Sequence, residues 1–156
     1  MGHLPKNDYL QVIKNTQLMA TDLIIFNYKG EVLLGKRKNE PAKDSWFVPG
    51  GRIYKYEPLG DAVHRVSKNE LGVSLSMDKP IGVYHHMYNN NVDNNDFGTH
   101  YIVFAVSITL SYDIDIKKDD QHEDMKWWSI EDIVNNDQVH LYTKNYFHPF
   151  PSNKVF

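Results

Sequence analysis

Cysteine is absent from the 156-residue sequence, which excludes a disulfide framework and thiolate-bound metals and fits a reducing compartment. There is no excess of positive charge either. A formal net charge of −3 argues against a general nucleic-acid binder, whose electrostatic footprint is basic. No window approaches the roughly 20 apolar residues of a membrane span. The opening "MGHLPKNDYLQ" has no apolar core of signal-peptide length. Internal repeats, a convincing linker and an HExxH zinc motif are likewise missing. These absences point to a cytoplasmic, soluble chain with neither nucleic acid nor membrane as partner. Hydrophobic content of 41% and charged content of 24% are ordinary for a globular protein. The length suits one domain over residues 1–156 with a sizeable core.

The pattern along the chain is mostly strand, with helices inserted between hairpins. Asp8 is placed to cap a short helix over "YLQVIKN", with Tyr9, Val12 and Ile13 on one face. "LMATDLIIFNYKGEVLLGKR" reads as a hairpin turning at Tyr28-Lys29-Gly30. Within its first strand Asp22 either faces solvent or points into a site. "SWFVPGGRIY" reads as strand, tight glycine turn, strand. "PLGDAVHRVSKNEL" is the clearest helix, with Pro58 at its start, Gly72 at its end and Leu59, Ala62, Val63 and Val66 as its apolar stripe. "IGVYHHMY" and "THYIVFAVSITL" read as strands flanking an asparagine-rich loop at 89–95, taken as mobile. A short strand "MKWWSI", a helix from about Glu131, a last helix "QVHLYTKNYF" and an irregular tail complete the chain. The order favours an α+β fold with a mixed sheet over a regular parallel βαβ fold.

Chemistry concentrates in "PGGRIYKYEPLGDAVHRVSKNELGV" at 49–73. Glu70 follows Val66 by four residues, so the two directions differ by only about 40° on a helix. A carboxylate at the edge of a buried stripe needs a cation. Either Arg52 or a lysine supplies it, or a hard oxygen-seeking ion such as Mg²⁺ does. Gly50 and Gly51 would let a backbone carbonyl approach such an ion. Arginine is scarce, and Arg37, Arg52 and Arg65 stand in a chain whose basic residues are mostly lysine. Arginine suits forked hydrogen bonding to phosphate, and Arg37 and Arg52 bracket the glycine pair. "DDQHEDMKWW" sets Gln121, an amide able to ligate a metal, beside His122. The unperturbed pKa of histidine, about 6.5, suits a general base near neutrality. His85, His86 and His100 add polar groups on adjacent strands.

Gly51, Glu57, Arg65, Glu70, Gly72 and Val73 resemble the box of the Nudix hydrolase family. Val66 and Asn69 replace two of its glutamates, and Ser67 replaces a hydrophobic residue. "GEVLLGKRKNEPAKDSWFVPGGR", "GVYHHMY", "THYIVF" and "DDQHEDMKWW" are similar to one branch, the GDP-mannose mannosyl hydrolases, over roughly residues 8–148. That resemblance implies a Nudix fold, with a mixed sheet sandwiched between helices (α/β/α), and a homodimer. It implies hydrolysis of GDP-mannose and related GDP-hexoses to GDP and free sugar, by attack of water on the anomeric carbon with inversion.

By the same resemblance one Mg²⁺ per site, or Mn²⁺, is held by the Gly50 carbonyl, Glu70 and Gln121, and His122 is the base. Arg37 and Arg52 contact the departing diphosphate, and Arg65 holds the box position in a supporting role. Asp22, His86 and Tyr101 lie near sugar and phosphates. Tyr9 packs against the guanine, with the segment 1–15 near a partner subunit. Two alternatives remain open on sequence: a Nudix pyrophosphatase cleaving the P–O–P bond of a nucleoside diphosphate sugar, and a non-catalytic nucleotide-sugar binder.

Overall fold

In the computed structural model, residues 3–93, 96–116 and 122–156 are described, apart from the side chains of His122 and Glu123. Helix α1 (Lys6–Asn15) leads into strands β1 (Leu18–Phe26), β2 (Val32–Arg37), β3 (Trp46–Phe47) and β4 (Gly50–Arg52). Helix α2 (Leu59–Leu71) follows, then β5 (Lys79–Tyr88), β6 (Thr99–Thr109) and β7 (His122–Trp128). Helices α3 (Ile130–Asn135) and α4 (Leu141–Asn145) close the order. The strands form one mixed sheet of order β3-β2-β1-β6-β5, with β4 paired to β1 and β7 paired to β2. This is an α+β fold built on one mixed sheet.

Strand β1 is the axis of the sheet. It runs parallel to β6 along its whole length, from Leu18 opposite Tyr101 to Phe26 opposite Thr109. Against β2 it is antiparallel with register at Phe26 and Val32. The other half of that edge, Ala20 to Asp22, pairs with Arg52 to Gly50 of β4. Alternation along the strand serves two cores. Leu23 and Ile25 pack with Val63, Val66 and Leu71 of α2, whereas Ala20 and Ile24 face Trp46, Phe47, Trp128 and Ile133. Asp22 falls on the second face, between two apolar residues, and is only 7% exposed.

Local sequence explains most boundaries. Gly72 ends α2 in the left-handed region (φ 79°), where a side chain would be strained, and its N–H donates to the Lys68 carbonyl. Ser129 caps α3 by accepting from the Asp132 N–H. Three expectations are corrected. Helix α1 begins at Lys6 behind Pro5, so Asp8 lies in its first turn and not at its cap. The pair Gly50-Gly51 is strand and not turn, because both residues pair with β1. The last helix covers only Leu141–Asn145, since the His140 side chain caps it by accepting from the Tyr142 N–H.

The loop after β5 is tied down at its start. Asn91 is fully buried, donates to the Phe97 carbonyl and accepts from the Asp93 N–H, while Asn90 donates to Glu40. The tail also adds to the sheet, as Val155 donates to the Val83 carbonyl and Val83 to that of Phe156. Among the described residues, no helix is long and apolar enough to cross a membrane.

The contact of α2 with β4 depends on Gly51, where an added Cβ would lie 2.9 Å from Cγ2 of Val66. Replacing Gly51 by alanine should therefore lower stability by about 1–3 kcal/mol, the usual penalty for overpacking. Gly60, with nothing within 4 Å of its added Cβ, is the control, and its alanine variant should unfold no earlier than the parent in urea.

Candidate active site

On the face of the sheet that carries Ala20 and Asp22 lies a cavity of about 660 Å³. Its walls come from β1, the end of β2, β4, one side of α2, the upper ends of β5 and β6, and the segment leading into α1. Tyr9, Asp22, Arg37, Gly50, Arg52, Arg65, Glu70, His86 and Tyr101 all border it. Gln121 and the His122 side chain lie outside the described residues. The main chain of His122 is paired with Arg37 across β7 and β2, which sets that position at the same end of β2.

Carboxylates gather at Gly50. Glu70, 6% exposed at the end of α2, accepts from the Gly50 N–H through Oε2 at 3.2 Å. Asp22 presses on the same residue so closely that a side chain there would collide with its Oδ1. Burial pushes the Asp22 carboxyl up to about 7, against a hydrogen bond from Tyr146 and the charge of Arg37. Among the described residues no three histidine, aspartate or glutamate side chains form a ready metal cage. The Asp22 and Glu70 carboxylates, brought to one residue, are nevertheless hard oxygen donors, which fit Mg²⁺ or Mn²⁺ better than a soft ion. Val66 and Asn69, the residues that replace box glutamates, form part of the cavity wall.

Glu57 is engaged elsewhere. Arg65 donates to it twice, from Nε at 2.6 Å and Nη2 at 2.8 Å, and the same Nη2 donates to the Arg52 carbonyl at 2.6 Å. Glu57 also accepts from the Tyr54 N–H at 2.9 Å. The Arg65 hydrogen bond holds the Glu57 carboxyl below its ordinary value. This fork braces α2 against β4 and so sets where Arg52 stands.

The basic end is lined with rings. Arg52 lies over the Tyr9 ring at 4.6 Å, and Arg65 over Tyr54 at 3.8 Å. Tyr9 is hydrogen-bonded to Tyr101, and burial raises the Tyr101 phenol above its ordinary value. Within this single chain, then, Tyr9 packs against its own cavity. Arg37 donates from Nε to the Pro41 carbonyl at 3.0 Å, which orients its head group.

The third wall is aromatic and uncharged. His86 stacks on Tyr142 (4.4 Å, 7°) and meets Phe47 edge-on at 5.8 Å. Burial drives the His86 imidazole down to about 3, and burial together with Arg37 drives that of His140 down to about 4. Both are neutral near pH 7. Sequence reasoning missed His140, Tyr142 and Tyr146, because a helix end announces nothing about which distant strand its rings reach: Tyr142 bonds Met87, 55 residues away, and Tyr146 bonds Asp22, 124 residues away. Conversely, His85 and His100 point away from the cavity walls and bond each other, Nδ1 to Nε2, at 2.9 Å.

These burials predict a pH profile. As pH falls from about 6.5 toward 4, the unfolded chain protonates His86 and His140 while the folded chain refuses those protons, so stability drops. Asp22 opposes this: folded, it gains a proton near 7, but unfolded only near 3.8. Asp22→Asn removes the opposing contribution. Its denaturation midpoint should fall more steeply than the parent's between about pH 7 and 5, and parallel profiles would mean that Asp22 stays ionised in the folded protein.

Residues 16–149 match the family described as the NUDIX domain. The low-salt glycan biosynthesis protein Agl8 of Haloferax volcanii is 37% identical over 123 residues, covering 79% of this chain and 78% of that one. The MutT protein of Methanosarcina mazei superposes with a TM-score of 0.70 at 22% identity, covering 84% of this chain and 90% of its own. The MutT Nudix hydrolase of Burkholderia pseudomallei gives 0.70 at 23% identity, covering 85% and 96%. With the glycine, arginine and glutamate of the box lining one cavity, the match over most of the chain places this protein in the Nudix family.

Proposed function

We propose that the protein is a divalent-cation-dependent hydrolase of GDP-hexoses, GDP-mannose foremost, that releases GDP and the free sugar. The observation that carries this reading is the state of the box acids. Glu70 is the α2 carboxylate that borders the cavity, Val66 and Asn69 stand where others would be, and Glu57 is bound to Arg65. An attack on phosphorus with several metal ions calls for several acids. Departure of an intact diphosphate from carbon calls for charge neutralisation and one base. The resemblance of the flanking segments to the GDP-mannose branch supports guanine and mannose. A curated relative in glycan biosynthesis fits chemistry on activated sugars. A fold neighbour, the Nudix domain of Shewanella oneidensis NrtR, was crystallised with ADP ribose, another nucleoside diphosphate sugar.

In this reading a water molecule attacks the anomeric carbon from the face opposite the diphosphate. Its proton passes to the His122 imidazole as the C1–O bond breaks, and the bonding pair stays on the diphosphate oxygen. Arg37 and Arg52 bind the departing diphosphate through forked hydrogen bonds, and the Arg65–Glu57 brace keeps Arg52 in place. Glu70, the Gly50 carbonyl and Gln121 would hold a divalent cation, which would supply further neutralisation of the leaving charge. Mg²⁺ and Mn²⁺ both suit such a site, and a neighbour from Francisella tularensis was solved with AMP and a manganese ion. Asp22, His86 and Tyr101 face the sugar and phosphates, and Tyr9 offers its ring to the base. The working form is a homodimer in the cytoplasm.

The competing reading, cleavage of the P–O–P bond, draws on a neighbour that includes an ADP ribose pyrophosphatase. Product identification separates the two. With GDP-mannose and Mg²⁺ the products should be GDP and mannose, the sugar appearing first as the β anomer by rapid proton NMR. GMP and mannose 1-phosphate would establish the other bond instead. His122→Ala should lower kcat by about 10²–10⁴-fold with little change in KM, since a general base acts in the transition state. Equal losses in both constants would remove His122 from that role.

A further inference from the structure

Tyr146 follows α4, outside the Nudix box, and its hydroxyl is the meeting point of two cavity residues. It lies 2.5 Å from Oδ2 of Asp22 and 3.3 Å from Nε2 of His86. The ring is wedged edge-on against Tyr84, with centroids 4.8 Å apart at 85°. The three polar groups come from β1, β5 and the C-terminal region, so no short stretch of chain builds the cluster.

The proton inventory of this cluster is restrictive. A phenol has one proton and can also accept. The shorter contact, in which the hydroxyl donates to Oδ2 of Asp22, takes that proton. The Tyr146 oxygen is then left as an acceptor. Contact with Nε2 of His86 is a hydrogen bond only if His86 donates. The neutral imidazole therefore carries its proton on Nε2 and keeps Nδ1 as an acceptor. The ring cannot readily turn over to exchange the nitrogens, because it is stacked on Tyr142 and packed against Phe47.

We infer that Tyr146 is a positioning residue that, through one hydroxyl, orients the Asp22 carboxylate and selects the Nε2–H tautomer of His86. The cavity then presents a fixed pattern, with Oδ1 of Asp22 as an acceptor beside Gly50 and, across the shared Tyr146 hydroxyl, a neutral imidazole of defined polarity. Such a pattern suits a polyhydroxyl ligand, whose hydroxyls must each donate in a set direction. Only that choice of ligand rests on the function proposed above, and the tautomer assignment does not.

The test has two arms. Long-range ¹H–¹⁵N correlation of histidine-labelled protein, in mildly alkaline buffer, reads which His86 nitrogen bears the proton. The parent should show a protonated Nε2 and a bare Nδ1, and Tyr146→Phe, which keeps the ring, should shift the pair toward a mixture. A proton on Nδ1 in the parent, or identical spectra in both proteins, overturns the inference whatever the enzyme acts on. In the kinetic arm, Tyr146→Phe should lower kcat/KM for GDP-mannose by about 10-fold, the scale of one hydrogen bond to a charged group. The same change made on Asp22→Asn should cost less than about twofold, because the two act as a unit. Additive losses would mean that Tyr146 does not act through Asp22. Absence of turnover with the expected spectra would count against the proposed substrate and leave the positioning role standing.

Discussion

Three residues of β4 hydrogen-bonded to the first half of β1 hold the site in place. Gly50, Gly51 and Arg52 lie opposite Asp22, Thr21 and Ala20. The pairing is tight enough that Gly50 has no room for a side chain beside Asp22, and Gly51 none beside Val66 of α2. Two glycines thus permit three layers to approach: the axis strand, the short strand and the helix. The approach has an electrostatic consequence. The carboxylates of Asp22 and Glu70, both buried, arrive at one main-chain residue.

That concentration of negative charge is balanced unevenly. Arg65 is spent on Glu57 and on the Arg52 carbonyl, which makes it a brace between α2 and β4. Arg37 and Arg52 border the cavity, each set by a local contact, one to the Pro41 carbonyl and the other to the Tyr9 ring. The arrangement provides an anionic point and a cationic rim within one volume. The nucleoside diphosphate and cation of the function proposed above would have the complementary distribution of charge. Val66 and Asn69, where the Nudix box carries glutamates, bring no negative charge to the helix side of the cavity.

The remaining wall works by being uncharged. His86 is buried, and His140, beside the Tyr142 ring that stacks on His86, is half-buried among rings; protonation there is costly, and both remain neutral near pH 7. The cost falls on acid stability, offset in part by Asp22, whose folded form takes up a proton more readily than its unfolded form. Tyr146 connects these opposing titrations at a single oxygen.

Much of this was legible in the chain itself. Period-3.6 and period-2 patterns located α2 and the long strands, because burial on one face leaves a regular trace. Box spacing singled out Gly51, Arg65 and Glu70, since residues close in sequence on one helix and its preceding strand stay close in space. Composition removed disulfides and thiolate metal sites outright. What the sequence could not decide were contacts between distant segments. The glycine pair read as a turn and proved to be strand, because only pairing with β1 distinguishes the two. The final helix was read too long, as a histidine cap has no strong sequence signature. Asp22 was ambiguous until the sheet placed it on the apolar face, and Tyr146 carried no local signal at all. A hydroxyl that finds a carboxylate 124 residues away is settled by the register of strands and the packing of helices, and that long-range geometry is what only the tertiary structure decides.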